Sequence, residues 1–208
     1  MLKDRFRKFL PVVVDLETGG FDCEKNPILE IAIQLIDFSD DQYVLGESYR
    51  HHIDPFEGLE LNQESLDFLK LDLNHPLRVS VDEKTALNDL FKIINKHKNF
   101  YDCSRAILVG HNAFFDHSFI LEACKRNNIR KSPFHPFSLI DTVSLGVLAT
   151  QQTVLARICK ELEIDYDNDE AHSAAYDAKV TAEVFCNIIN IIIINSCSIC
   201  NLIGSYCI

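Results

Sequence analysis

The sequence predicts an α/β fold in which a mixed central sheet is flanked by helices. Three observations carry this. Short apolar runs at Val12–Val14, Ile28–Ile36 and Ala106–Val109 have strand length and strand composition. Helical spacing follows in other segments, with Leu87, Leu90, Phe91 and Ile94 on one face. The order, three strands first and then a β/α alternation, is that of a mixed sheet with helical cover.

Taken along the chain, Val12–Val14 reads as a buried strand ending at Asp15, Ile28–Ile36 as a second strand and Tyr43–Ile53 as a third. Asn62–Leu69 and Val81–His97 read as helices, and Ala106–Val109 as a further buried strand that ends at Gly110-His111-Asn112. Helices are then expected at His117–Asn127, at Thr153–Leu162 and from Ala174 to about residue 194. In such sheets the working residues gather at strand ends and helix starts.

Composition narrows the function classes. The chain has 208 residues with 47% hydrophobic and 25% charged side chains, enough to bury a real core, and 14 Phe among them exclude disorder. Seven Gly and six Pro exclude a collagenous or linker-like chain. Net charge is −11, the wrong sign for a generic nucleic-acid coat protein. It leaves room for a nucleic-acid enzyme, because a carboxylate site filled with divalent cations reverses the local sign.

The start, Met1-Leu-Lys-Asp-Arg-Phe-Arg-Lys, has no secretory h-region, and the eight Cys are scattered, so a cytoplasmic protein with reduced thiols is expected. No linker divides the chain, so residues 1–195 are expected to form one domain. Residues 196–208 are an atypical apolar C-terminal extension: no charged side chain follows Glu183, and residues 191–194 are all Ile. Asn and Ser interrupt this stretch, which favours a buried or subunit-facing helix over a membrane span.

Carboxylates and His recur where chemistry is plausible. Asp15 and Glu17 sit two apart on a strand and so project to the same side, next to an apolar run. Such a pair repels itself unless a cation sits between, although a strand entering a polar turn would show the same residues. Asp116, in His111-Asn-Ala-Phe-Phe-Asp116, would open a helix, where it serves either as a cap or as a ligand. His111 reads as a structural hydrogen-bonding residue, and Asp141 is equally consistent with an N-cap. His172 lies in the turn before the last long helix and Asp177 near its start, close enough for one to bind metal while the other handles a proton. Together, Asp15, Glu17, Asp116 and Asp177 make an all-oxygen set that suits Mg²⁺ or Mn²⁺ rather than zinc.

In these motifs (Asp15-x-Glu17-Thr, His111-Asn-x-x-Phe-Asp116 and His172-x-x-x-x-Asp177) the chain resembles the DEDDh branch of the DEDD 3′→5′ exonuclease superfamily, which has a ribonuclease H-like fold. The segment from Asp4 to Asp15, Phe134-His-Pro-Phe137 and Ala171–Asp177 narrow the resemblance to the ribonuclease T family. The stretch after about residue 190 departs from that family's usual basic, Trp-containing end.

The resemblance implies two Mg²⁺ ions per subunit, with Mn²⁺ as a substitute, in a metal site of Asp15, Glu17, Asp116 and Asp177 that includes His172 as general base. Asp141 would be an auxiliary acid. It assigns base stacking to Phe21, Phe68, Phe115 and Phe137, with Glu64 touching the terminal bases; read from the residues alone, these phenylalanines could equally belong to the core. It gives Arg5, Arg7, Arg105 and Arg130, among clusters that include Lys3, Lys8, Lys125, Arg126 and Lys131, the task of guiding RNA into the other subunit of a homodimer.

The implied activity is a 3′→5′ exoribonuclease that trims single-stranded 3′ ends of tRNA and other stable RNA precursors, with single-stranded DNA also a substrate. The alternatives are a proofreading-type DNA exonuclease subunit, which shares the acidic motifs, and a catalytically silent RNA-binding module. Mg²⁺-dependent release from a labelled end separates an enzyme from a binding module. No membrane association is expected.

Overall fold

The computed structural model describes residues 2–203 apart from Leu71, Asn74, Pro76 and Leu77; the side chains of Lys3 and of residues 194–203 lie outside the description. A six-stranded mixed sheet forms its centre, in the order β4-β3-β2-β1-β5-β6. The strands are β1 (Phe9–Thr18), β2 (Ile28–Ser39), β3 (Gln42–Ile53), β4 (Ser80–Val81), β5 (Arg105–Gly110) and β6 (Phe134–Asp141). β1, β2 and β3 run antiparallel in succession, while β5 lies parallel to β1 and β6 parallel to β5.

β1 is an interior strand, and its residues from Leu10 to Val14 are all buried, which explains an apolar run in place of alternation. Helix α1 (Leu2–Arg5) precedes it, and α2 (Gln63–Leu69) stands between β3 and β4. Helices α3 (Glu83–Phe100) and α4 (Phe114–Arg126) pack on each other and on the sheet, α3 through Ala86, Leu87, Leu90, Phe91 and Ile94. Helices α5 (Thr142–Thr150) and α6 (Leu155–Glu161) pack on the last helix, α7 (Ala174–Ile203).

α7 buries two stripes. Ala174, Ala178, Ala182, Phe185, Cys186 and Ile189 join the main core, and Val180, Val184 and Ile188 join Ile158 and Cys159 in a second one. A helix buried on two sides has little room for charge, which accounts for the absence of charge from Val184 to Ile189; Ile191 and Ile192, one turn on, are exposed. Ala at three successive turns lets α7 approach the sheet closely, and Asp177 rides on that close-approaching stretch.

Several boundaries differ from the sequence expectation. The strand begun at Val12–Val14 extends from Phe9 to Thr18, so Asp15 and Glu17 lie inside it. Helix α4 starts at Phe114 rather than His117, which makes Asp116 its third residue. β6 and α5 were not foreseen. Pro136 and a register shift between Ala106 and Leu108 of the partner strand interrupt the β6 pattern, and Gly146 interrupts that of α5.

The expectation for residues 196–208 concerns side chains outside the described residues, although the α7 backbone continues to Ile203. Among the described residues, Cys23, Cys103, Cys124, Cys159 and Cys186 are free thiols, and no helix is long and apolar enough to cross a membrane.

Candidate active site

β1, β5 and β6 run parallel, and their carboxyl ends come together beside the start of α7. Asp15 and Glu17 project from the end of β1, and a bulge follows at once: Glu17 faces Glu30 of β2, whereas Thr18 faces Ile28. Asp177 reaches the pair from the first turn of α7. Carboxylate oxygens of Asp15, Glu17 and Asp177 lie within 4.8 Å of one another.

Asp116 lies beside this group and is buried. It does not cap its helix: Ala113 occupies the N-cap position with no side-chain cap, and the Asp116 carboxylate accepts the backbone N–H of Leu16 and its own. The four acids are electrostatically costly as anions. Burial, then the charges of Asp116, Asp177 and Glu17, holds Asp15 well above the usual carboxylate range. Burial and the neighbouring Asp177, Glu30 and Asp116 push Glu17 up to about 8. Burial also raises Asp116 to about 8, against the two backbone N–H groups that favour its anion, and it raises Asp177. Glu30, 5% exposed, leaves one carboxylate oxygen without a hydrogen bond beside Glu17. An all-oxygen set with this much unrelieved negative charge fits a hard divalent cation.

Asp15, Glu17 and Asp177 form the close oxygen group, and the ring of His172, like Asp116, lies outside it. The backbone explains this. His172 adopts a left-handed φ of 72°, which aims its N–H at Asp177 Oδ2 (3.0 Å) and leaves its ring exposed against Phe68, with centroids 4.4 Å apart. His111 is held on both sides, Nδ1 by Thr142 Oγ1 and Nε2 by the Thr153 carbonyl, each at 3.0 Å. Asp141 caps α5, accepting from Val143 N–H at 2.8 Å, and also accepts from Asn112 and Ala113 at 3.3 and 3.1 Å. It thereby ties α5 to the turn that presents Asp116.

Beside the acids opens a cavity of about 340 Å³. One wall is the turn after β1, with Gly20 and Phe21; the other is α2, with Glu64 and Phe68; Phe115 and Glu17 close it. Phe21 is 86% and Phe68 62% exposed, so neither is a core residue. Phe137, 80% exposed, stands apart from this cavity: the irregular β5–β6 register carries it away, and its ring meets His135. Phe114, missed in the sequence, is exposed and lines the adjoining space with Asp15, Phe115 and Asp116. No spacing rule distinguishes it from its neighbour Phe115.

The basic residues lie at the other end of the parallel strands. Arg5 ends α1, Arg7 sits 6.0 Å over the Phe9 ring, Arg105 opens β5 opposite Phe9, and exposed Arg130 precedes β6. Phe9 and Glu17 are separated by eight strand residues, roughly 25 Å. Arg126, grouped with these cations in the sequence, is instead 11% exposed and paired with Glu83 at 2.6 Å.

The RNase_T family model, described as an exonuclease, matches residues 12–185, a span that contains every acid of this site. A protein named ribonuclease T from Marinobacter nauticus is 49% identical over 190 residues, covering 91% of this chain and 86% of the relative. The chain belongs to the ribonuclease T family. A second ribonuclease T, from Shewanella denitrificans, is 48% identical and covers 91% of this chain and 84% of the relative. A crystal structure of E. coli exonuclease I with a dT13 oligonucleotide superposes with a TM-score of 0.64 at 15% identity, covering 84% of this chain. This chain spans about 40% of that protein's length, so the likeness is one of fold. The ribonuclease T family member described here is accordingly a nuclease of exonuclease fold with a nucleic-acid substrate.

Proposed function

We propose that this chain is a Mg²⁺-dependent 3′→5′ exoribonuclease that removes nucleotides from single-stranded 3′ ends of tRNA and other stable RNA precursors. The observation that carries this is the meeting of Asp15, Glu17 and Asp177, with Asp116 beside them, at the mouth of a cavity walled by exposed Phe21 and Phe68. The four acids would hold two divalent ions, Mg²⁺ or Mn²⁺. When bound, such ions polarise the attacking water and neutralise the departing 3′ oxygen.

The chain's own residues do the rest. Phe21 and Phe68 stack on the terminal bases, which selects unpaired ends, since a base must leave its helix to be gripped between rings. Glu64, on the α2 wall, contacts the terminal nucleotide. His172, exposed at the rim, accepts the proton of the water as the new P–O bond forms. The P–O3′ bond breaks, releasing a nucleoside 5′-monophosphate and a strand one residue shorter that ends in a 3′ hydroxyl. Asp141 acts indirectly, by fixing the turn before Asp116.

A chain of net charge −11 must gather phosphates locally. Arg5, Arg7, Arg105 and Arg130 cluster at the end of the parallel strands away from the acids. That placement supports a homodimer in which one subunit's cations guide RNA into its partner's cavity. Single-stranded DNA, which offers the same bases and phosphates, should also be cut. Mass spectrometry of the products from tRNA with an unpaired 3′ end tests the reading: nucleoside 5′-monophosphates released in succession support it, and internal fragments or nucleoside 3′-phosphates refute it.

A further inference from the structure

We infer that Asn26 is a positioning residue that sets the gap between the two walls of the nucleotide cavity. This deepens the exonuclease reading and rests on it. Helix α2 carries Glu64 and Phe68, yet none of its residues is buried, so core packing does not hold it in place. Its hold comes from hydrogen bonds at its N-terminal side, to the turn that carries Phe21. Asn62 N–H donates to the Gly19 carbonyl at 2.7 Å, and Glu60 N–H donates to the Lys25 carbonyl at 2.7 Å. Both are backbone bonds that most substitutions would leave intact.

Asn26 supplies the side-chain tie. Its Nδ2 donates to the Glu60 carbonyl at 2.9 Å, while its Oδ1 accepts the Asp22 N–H at 2.9 Å. One amide therefore grips both walls, and it is 9% exposed. The fit against the turn is close: a Cβ at Gly20 would lie 2.4 Å from Asn26 Oδ1. Asn62 then passes the position on, since its side chain accepts the Glu64 N–H at 2.8 Å and so starts α2. Phe68, at the far end of α2, moves with it. The chemistry of the amide matters as well, because only a group that both donates and accepts can bridge an N–H of one wall and a carbonyl of the other.

The test is steady-state degradation of a 5′-labelled duplex with a single-stranded 3′ overhang by the wild-type protein, Asn26→Ala, Phe68→Ala and the double variant. Asn26→Ala should raise KM about three- to tenfold, the size of one or two lost hydrogen bonds, with kcat within about twofold. In the Phe68→Ala background the same change should raise KM by a smaller factor, because one of the groups that Asn26 positions is gone while Glu64 and Phe21 remain. An unchanged KM for Asn26→Ala, or an equal rise with and without Phe68, overturns the inference. If Asn26→Ala does not fold, Gly20→Ala, whose methyl must displace the Asn26 side chain, is read in the same cycle with the same two outcomes. Failure of the wild-type protein to shorten the strand would instead refute the exonuclease reading, which keeps the two separable.

Discussion

The rings of Phe68 and His172 lie 4.4 Å apart at an interplanar angle of 56°, so the proposed stacking residue and the proposed proton acceptor touch across the rim of the cavity. Each belongs to an element with little other support: α2 buries no residue, and His172 sits in a left-handed turn ahead of α7. Replacing Phe68 should therefore affect more than base affinity. Phe68→Ala is expected to raise KM for a single-stranded 3′ end about 5- to 150-fold, from a lost stack of about 1–3 kcal/mol. It should also lower kcat, because His172 loses the surface that orients its ring. Kinetics on an overhang substrate separate the two effects, and Phe21→Ala, which has no contact with His172 among the described residues, should change KM alone.

The four acids should oppose folding when no cation is bound. Asp15→Asn removes one of the mutually repelling charges, so in EDTA it should raise the thermal midpoint even as it lowers activity by about a hundredfold or more. Differential scanning fluorimetry with and without Mg²⁺ reads this. The wild-type protein should gain more from Mg²⁺ than the variant does, and a variant destabilised in EDTA would contradict the electrostatic account.

The raised acids also fix the sign of the pH dependence. Glu17 and Asp116 titrate at about 8 in the folded chain and near the ordinary carboxylate value when unfolded. Between about pH 4 and pH 8 the folded state thus holds more protons than the unfolded state, and by linkage stability falls as pH rises through this window, then levels off. Metal-free protein should lose thermal stability from pH 5 to pH 8, and Mg²⁺, which displaces those protons, should restore more at pH 8 than at pH 6. Midpoints measured at several pH values in EDTA and in Mg²⁺ check both halves.

RNA binding should weaken steeply with salt, since phosphate contacts release counterions. Arg7→Glu or Arg105→Glu should lower affinity and reduce the slope of log K against log salt by about one. Neither residue lies near the acids, so hydrolysis at saturating RNA should persist. Fluorescence anisotropy over a salt series measures the slope.

Much of this site was legible in the sequence because its residues are placed by period and by strand ends. Asp15 and Glu17 alternate on a strand, and Asp177 follows a turn into a helix whose Ala stripe is visible in the chain. The alternation says nothing of how far the strand continues: the apolar run suggests an end at Asp15, whereas β1 runs on to Thr18. Asp116 could be read as a cap or as a ligand, and only the fold shows that its carboxylate turns to Leu16. Arg126 looked like part of a basic surface because a sequence cannot show that Glu83, 43 positions earlier, stands opposite it. Asn26 was missed altogether: an Asn before Pro27 reads as turn chemistry, and its partner Glu60 is brought near by tertiary structure alone.

The most direct test of the central claim uses a 5′-labelled RNA stem with a short single-stranded 3′ overhang, incubated with the wild-type protein in Mg²⁺, in EDTA, and with Asp15→Asn in Mg²⁺. The expected result is a ladder of one-nucleotide losses that stops near the duplex, seen only with the wild-type protein and Mg²⁺. A strand that is bound yet stays intact in all three lanes, or one that is shortened equally in EDTA, would contradict the account.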